Sequence, residues 1–125
     1  MEEVKNFYQV VGQICAKDPR YKSDSYEFVL QALTFTQKEF KKDSHVSGKE
    51  LLEGIRKFAL DQYGSMAKTV LQHWGIARTS DFGNIVFNMI ESKLLSRTED
   101  DTHHDFDDVY DFEVAFKYRI KDFQI

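Results

Sequence analysis

Between His45 and Leu95 the chain carries start and stop signals for three successive helices, and no other stretch restricts the fold as much. Ser47 and Glu50 have the spacing of a capping box, in which a hydroxyl and a carboxylate satisfy two N–H groups that a helix start otherwise leaves without partners. Leu51, Leu52, Ile55, Phe58, Ala59 and Tyr63 follow at helical spacing, while Lys49, Glu53, Arg56, Lys57 and Asp61 fall mostly on the other side. Gly64 is a natural stop, because glycine tolerates the left-handed conformation that ends many helices. A second helix is expected over about 65–74, with Met66, Ala67, Val70, Leu71 and Trp74 inward and Gly75 as its stop. Thr79 or Ser80 is expected to cap a third, whose buried stripe is Phe82, Ile85, Val86, Met89 and Ile90. Gly54 and Gly83 interrupt helices at a cost of about 1 kcal/mol each relative to alanine. Close helix–helix approach is the expected reason.

A single proline in 125 residues suits long helices better than a turn-dense β fold. The expected class is mainly α, a multi-helix domain with a winged-helix-like three-helix centre. An acidic loop or small wing and a short C-terminal helix or strand complete it. One domain is expected over 1–125, with a helical core at about 2–95 and an acidic segment at 99–113.

The block is similar to an uncharacterised family of small bacterial proteins. The pattern is His45-Val46-Ser47-Gly48, Glu50-Leu51-Leu52-x-Gly54-Ile55-Arg56, Tyr63-Gly64 and Val70-Leu71-x-x-Trp74-Gly75-Ile76. It continues as Thr79-x-Asp81-Phe82-Gly83-x-Ile85-Val86-Phe87, then Val109-Tyr110-Asp111-Phe112 and Ala115-Phe116. The resemblance spans about Tyr21 to Phe116. It implies a mainly helical domain and brings no catalytic residues with it. Asp81-Phe82-Gly83 is not a kinase signature, since no glycine-rich loop, strand lysine or catalytic loop accompanies it.

Upstream, a helix is expected over about 2–16, with Val4, Phe7, Tyr8, Val11, Ile14 and Cys15 on one apolar stripe and the thiol buried and inert. Asp18-Pro19 breaks it. A second upstream helix is expected from a cap at Ser23, Asp24 or Ser25 to about Lys42. Its main face is Tyr26, Val29, Leu30, Leu33 and Phe40. Phe28 and Phe35 lie off that face, as Phe87 lies off the buried stripe of its own helix. These three aromatics are the candidate interaction residues for a protein partner or a second copy.

From Glu99 to Glu113 there are eight acidic residues and no lysine or arginine. Removing them from the 21 acids leaves 13 against 17 basic residues, so the rest of the chain is net +4 while the whole is −4. Such a block is read as a solvated loop, with docking on a basic surface as a sharper alternative. A divalent metal held by His103, His104, Asp101, Asp105 and Asp107 is another, although adjacent histidines converge poorly on one ion and the acids miss the calcium-loop spacing. No cofactor is expected. Beyond it, a short helix near 108–117 is expected, followed by an extended terminus.

Nucleic-acid binding is the rival class. It would use Lys41, Lys42, Arg78 and Arg97 on phosphates and Asn84 and Asn88 on bases, with residues 79–92 as a recognition helix. The outward positions of that helix are otherwise Asp81, Gly83 and Glu91, and the acidic segment repels a phosphate backbone. An enzyme requires convergent groups. His45 and His73 are read as structural, but His45 with the acidic segment would form an acid/base pair if the fold joins them. The expectation is therefore a non-enzymatic binding or interaction module, with a His/Asp metal-dependent enzyme as the least favoured alternative. The lone Cys15, the acidic amphipathic start MEEVKNFYQ and the lack of a roughly 20-residue apolar run point to a cytoplasmic protein without a membrane span.

Overall fold

The computed structural model describes residues 6–41, 45–97 and 101–117. Helices run over Phe7–Lys17 (α1), Ser23–Glu39 (α2), Gly48–Tyr63 (α3), Ala67–His73 (α4), Thr79–Glu91 (α5) and Phe112–Ala115 (α6), with 3-10 turns at Gly64–Met66 and His103–Phe106. The protein is mainly helical. Among the described residues there is no strand, and no helix is long and apolar enough to cross a membrane. The hairpin of a winged helix is therefore not among them: the chain after α5 forms the 3-10 turn and α6 instead.

The punctuation between Ser47 and Gly75 acts as its chemistry requires. The Ser47 hydroxyl accepts from the Glu50 N–H at 3.1 Å, and the Glu50 carboxylate accepts from the Ser47 N–H at 2.8 Å. Gly75, at φ +95°, turns the chain after α4 where a Cβ would lie 2.2 Å from the Arg20 carbonyl oxygen. That approach lets the Lys22 N–H donate to the Trp74 carbonyl at 3.0 Å. Gly54 lets α3 press on α2, since a Cβ there would lie 1.7 Å from Thr36 Oγ1. Gly83 on α5 and Gly48 at the start of α3 both face the Phe106 ring, and side chains there would come within 3.2 Å of it. All three glycines are thus packing glycines, the role expected of Gly54 and Gly83.

The core is aromatic-rich. Phe28, Phe58, Tyr63 and Trp74 form one cluster with ring centroids 5.5–6.0 Å apart. Phe82, Tyr110, Phe112 and Phe116 form a second, 4.9–6.2 Å apart. The Tyr110 hydroxyl donates to the Leu52 carbonyl at 2.8 Å, and burial raises its pKa.

Several side chains depart from the sequence pattern. Val4 lies outside the described residues. Tyr8 is 65% exposed and its hydroxyl reaches Glu27, because α1 buries Val10, Val11 and Ile14, a stripe turned away from Tyr8. Met66 is 53% exposed, since the 3-10 turn after Tyr63 resets the helical register and α4 begins at Ala67. Phe40 falls past the end of α2 and is exposed. Thr79 does not cap α5. Asp81 does, accepting from the N–H groups of Ala77 and Arg78 at 2.8 and 3.1 Å, while the buried Thr79 hydroxyl accepts from the Val109 N–H at 3.1 Å. The C-terminal helix is shorter than expected and is capped by Asp111 rather than Asp108. The extended terminus expected beyond it lies outside the described residues.

Candidate functional site

Three of the positions expected to face outward on α5 are turned inward, while Glu91 is exposed. Asp81, Asn84 and Asn88, at i, i+3 and i+7, meet the connection between α1 and α2. The Tyr21 hydroxyl donates to Asp81 Oδ1 at 2.6 Å and accepts from Asn84 Nδ2 at 2.8 Å. Asn88 Nδ2 donates to Asp18 at 2.9 Å and to the Tyr26 hydroxyl at 3.1 Å. Burial, then the hydrogen bond to Asp81, pushes the Tyr21 hydroxyl up to about 12. Hydrogen bonds from Arg20 hold the Asp18 carboxyl well below the usual carboxylate range. Asn84 and Asn88 are thus structural amides rather than base readers. Lys41, Arg78 and Arg97 are exposed, and Lys42 lies outside the described residues. Two further lysines are engaged by carboxylates, Lys57 by Glu39 and Lys68 by Glu113.

Phe28 is likewise no surface residue: it is 2% exposed inside the first aromatic cluster. Its place follows from α2 being covered on more than one side, by α3 and the α4 turn together. Phe35 is half-buried, with its ring 5.3 Å from Phe58. Phe87 is half-buried under the chain that follows α5, with the His103 ring 4.2 Å away and the Arg97 guanidinium 5.8 Å over its ring.

The acidic segment is fastened by its aromatic residues. Phe106 plugs the socket formed by Gly48 and Gly83 and is 4% exposed. Two of the segment's carboxylates serve locally: Asp105 accepts from the Thr102 N–H at 3.2 Å, and Asp107 lies 2.9 Å from His104 Nδ1. His103 stacks on Phe87, and Asp101 turns to His45. The expected metal ligands therefore point to different partners. Among the described residues no three His, Cys, Asp or Glu side chains gather as a metal site would require.

Folding this segment back creates a cleft of about 570 Å³. Leu33 of α2, Leu51 of α3, and Val86 and Ile90 of α5 supply apolar walls, continued by Leu94 and Leu95. His45, Arg97 and Asp101 stand among its polar residues. His45 Nε2 lies 3.3 Å from Asp101 Oδ1, the juxtaposition of His45 with the acidic segment that the sequence left open. Asp101 is largely buried, with 17% of its side chain exposed against 43% for His45. Leu94 and Leu95 escaped notice as site residues. Their signal was an apolar pair just past the end of α5, where a solvated loop would carry polar side chains.

A second cavity, about 490 Å³, lies beside the α1–α2 connection and includes Cys15, His73 and Trp74. Cys15 Sγ donates to the Tyr21 carbonyl at 3.6 Å, and burial with the nearby Asp18 charge raises its pKa, which suppresses thiolate chemistry. No protein-family model, curated protein or solved structure matches the chain.

Proposed function

We propose that this protein is a non-enzymatic binding module whose ligand enters the cleft between α2, α3 and α5. The observation that carries this reading is a concave apolar site of about 570 Å³ with a few ionisable groups among its lining residues. Small-molecule sites occupy about 300–1,000 Å³ and share that division between apolar walls and sparse polar groups. A flat aromatic interface for a protein partner or second copy draws less support, because Phe28 is core and Phe35 and Phe87 already pack on rings of their own chain. The winged-helix alternative keeps Lys41, Arg78 and Arg97 as phosphate contacts, but its base-reading amides are committed inside the protein. A cytoplasmic setting remains part of the proposal and rests on the lone cysteine.

The His45–Asp101 pair favours one second reading, an acid/base enzyme working on a ligand in the same cleft. Loss of nitrophenyl-ester turnover in His45→Ala would support it, and absence of turnover in the unaltered protein would remove that activity.

The binding reading is tested with 1-anilinonaphthalene-8-sulfonate, whose emission rises and shifts to the blue in apolar sites. The unaltered protein is expected to bind it, and Ile90→Trp, which fills the cleft, is expected to abolish binding while leaving the circular dichroism spectrum intact. Equal dye binding by a folded Ile90→Trp variant would refute the cleft as the site.

A further inference from the structure

We infer that the cleft takes an amphipathic carboxylate: an apolar body between α2, α3 and α5, with its carboxylate at the mouth on Arg97. This rests on the reading of the cleft as a ligand site and adds the chemistry of the head group. The walls set the body. Leu33, Leu51, Val86 and Ile90 offer no hydrogen bonds from their side chains, so a polar group placed among them would lose its water without replacement.

The mouth sets the head. Two other arginines are engaged by carboxylates: Arg20 sits on Asp18 at 2.7 Å and Arg56 on Glu53 at 2.7 Å. Arg97 is different. It is exposed, and among the described residues it meets the Phe87 ring, 5.8 Å below the guanidinium. A ring face holds a guanidinium by cation–π attraction without consuming its N–H donors. Those donors form a rigid fork that matches a carboxylate's two oxygens, and the charge-assisted pair is stronger than a neutral one. Asp101, the carboxylate among the cleft-lining residues, is largely buried and turned to His45 at 3.3 Å. An ammonium head would meet Arg97 as a like charge, and an alcohol would leave the fork without its anionic partner.

The test is isothermal titration calorimetry of the full chain with decanoate, decanol and decylamine, all below their aggregation concentrations. Decanoate is expected to bind at least tenfold more tightly than decanol, and decylamine more weakly than either. Arg97→Gln is expected to bring decanoate to the affinity of decanol. Ile90→Trp and, independently, Leu94→Trp are expected to remove binding of both. Equal affinity for decanoate and decanol, or an unchanged preference in Arg97→Gln, overturns the assignment of the head group. Tighter binding of decylamine also overturns it and assigns control of the mouth to Asp101. In those outcomes the cleft itself stands if Leu94→Trp or Ile90→Trp still removes decanol. Binding of none of the three probes overturns both readings.

Discussion

Gly54→Ala is the substitution whose cost the structure defines most sharply. The new Cβ would lie 1.7 Å from Thr36 Oγ1, 2.7 Å from Thr36 Cβ and 3.0 Å from Thr36 Cγ2. Rotating the threonine side chain relieves the first and third contacts, but it breaks the 2.7 Å bond from Thr36 Oγ1 to the Ala32 carbonyl. It leaves the second contact untouched, because Cβ moves only with the backbone of α2. Ordinary contact begins near 3.4 Å, so the two helices must part by several tenths of an ångström. Overpacking of this kind costs about 1–3 kcal/mol and loss of the hydroxyl's bond about 1 kcal/mol. Alanine returns about 1 kcal/mol of helix propensity. The expected net loss is about 2 kcal/mol, a fall in melting temperature of roughly 8 °C for a chain of this size. Urea unfolding followed by circular dichroism measures it. Gly12→Ala in α1 is the matched control, because Gly12 is exposed and a Cβ there meets nothing within 4 Å. The same chemical change is expected to stabilise that variant by up to about 1 kcal/mol. A Gly54→Ala protein as stable as the parent would refute the argument that this glycine sets the α2–α3 spacing.

Two further outcomes are expected. Tyr21 carries a hydroxyl pushed up to about 12, so the folded state holds a proton that the unfolded chain releases near pH 10. Its contribution is whole below about pH 10 and is lost as pH rises toward 12. Tyr21→Phe is expected to cost about 1 kcal/mol at pH 7 through the lost hydrogen bonds and to flatten the alkaline fall in urea-unfolding stability; an unchanged slope between pH 9.5 and 11.5 would refute the linkage. Gly83→Ala would put a Cβ 2.8 Å from Phe106 Cβ, so the 3-10 turn at His103–Phe106 must give way while α5 itself gains propensity. Amides of residues 103–109 are expected to exchange with deuterium at least tenfold faster with little change in global stability, and unchanged exchange there would show that the socket adapts.

What the sequence made legible was local. A capping box, a proline and the stops at Gly64 and Gly75 concern groups a few residues apart, and backbone hydrogen bonding decides them. The packing role of Gly54 and Gly83 was also readable, because a helix-interior glycine that costs stability needs a neighbour to justify it. What escaped were partners far apart in the chain. Asn84 finds Tyr21 across 63 positions and Asn88 finds Asp18 across 70, and no period in the sequence encodes either meeting. The spacing of Asp81, Asn84 and Asn88 did mark one face of α5. Nothing local distinguished a face turned to solvent from one turned to two tyrosines and an aspartate. Phe28 was misplaced for the same reason: its distance from the main stripe of α2 was visible, but the rings of Phe58 and Trp74 that cover it were not.

The cleft shows how these scales join. Its walls come from helices whose apolar stripes were readable, but its mouth exists only because the chain after α5 folds back. Charge is a minor fastening for that return: Asp105 caps a turn and Asp107 faces His104 within the segment, and the pairs Asp101–His45 and Glu113–Lys68, which do cross to the helices, are partly exposed. Phe106 fastens it, in a socket open only because positions 48 and 83 lack side chains, and His103 adds a second contact on Phe87. Asp101 reaches His45, and Arg97 reaches Phe87, from the same returning chain. The two glycines therefore do more than pack helices: they set where the polar groups of the cleft stand. A fault in the socket should loosen the mouth and leave the helical walls in place, which ties ligand affinity to the docking of one aromatic ring.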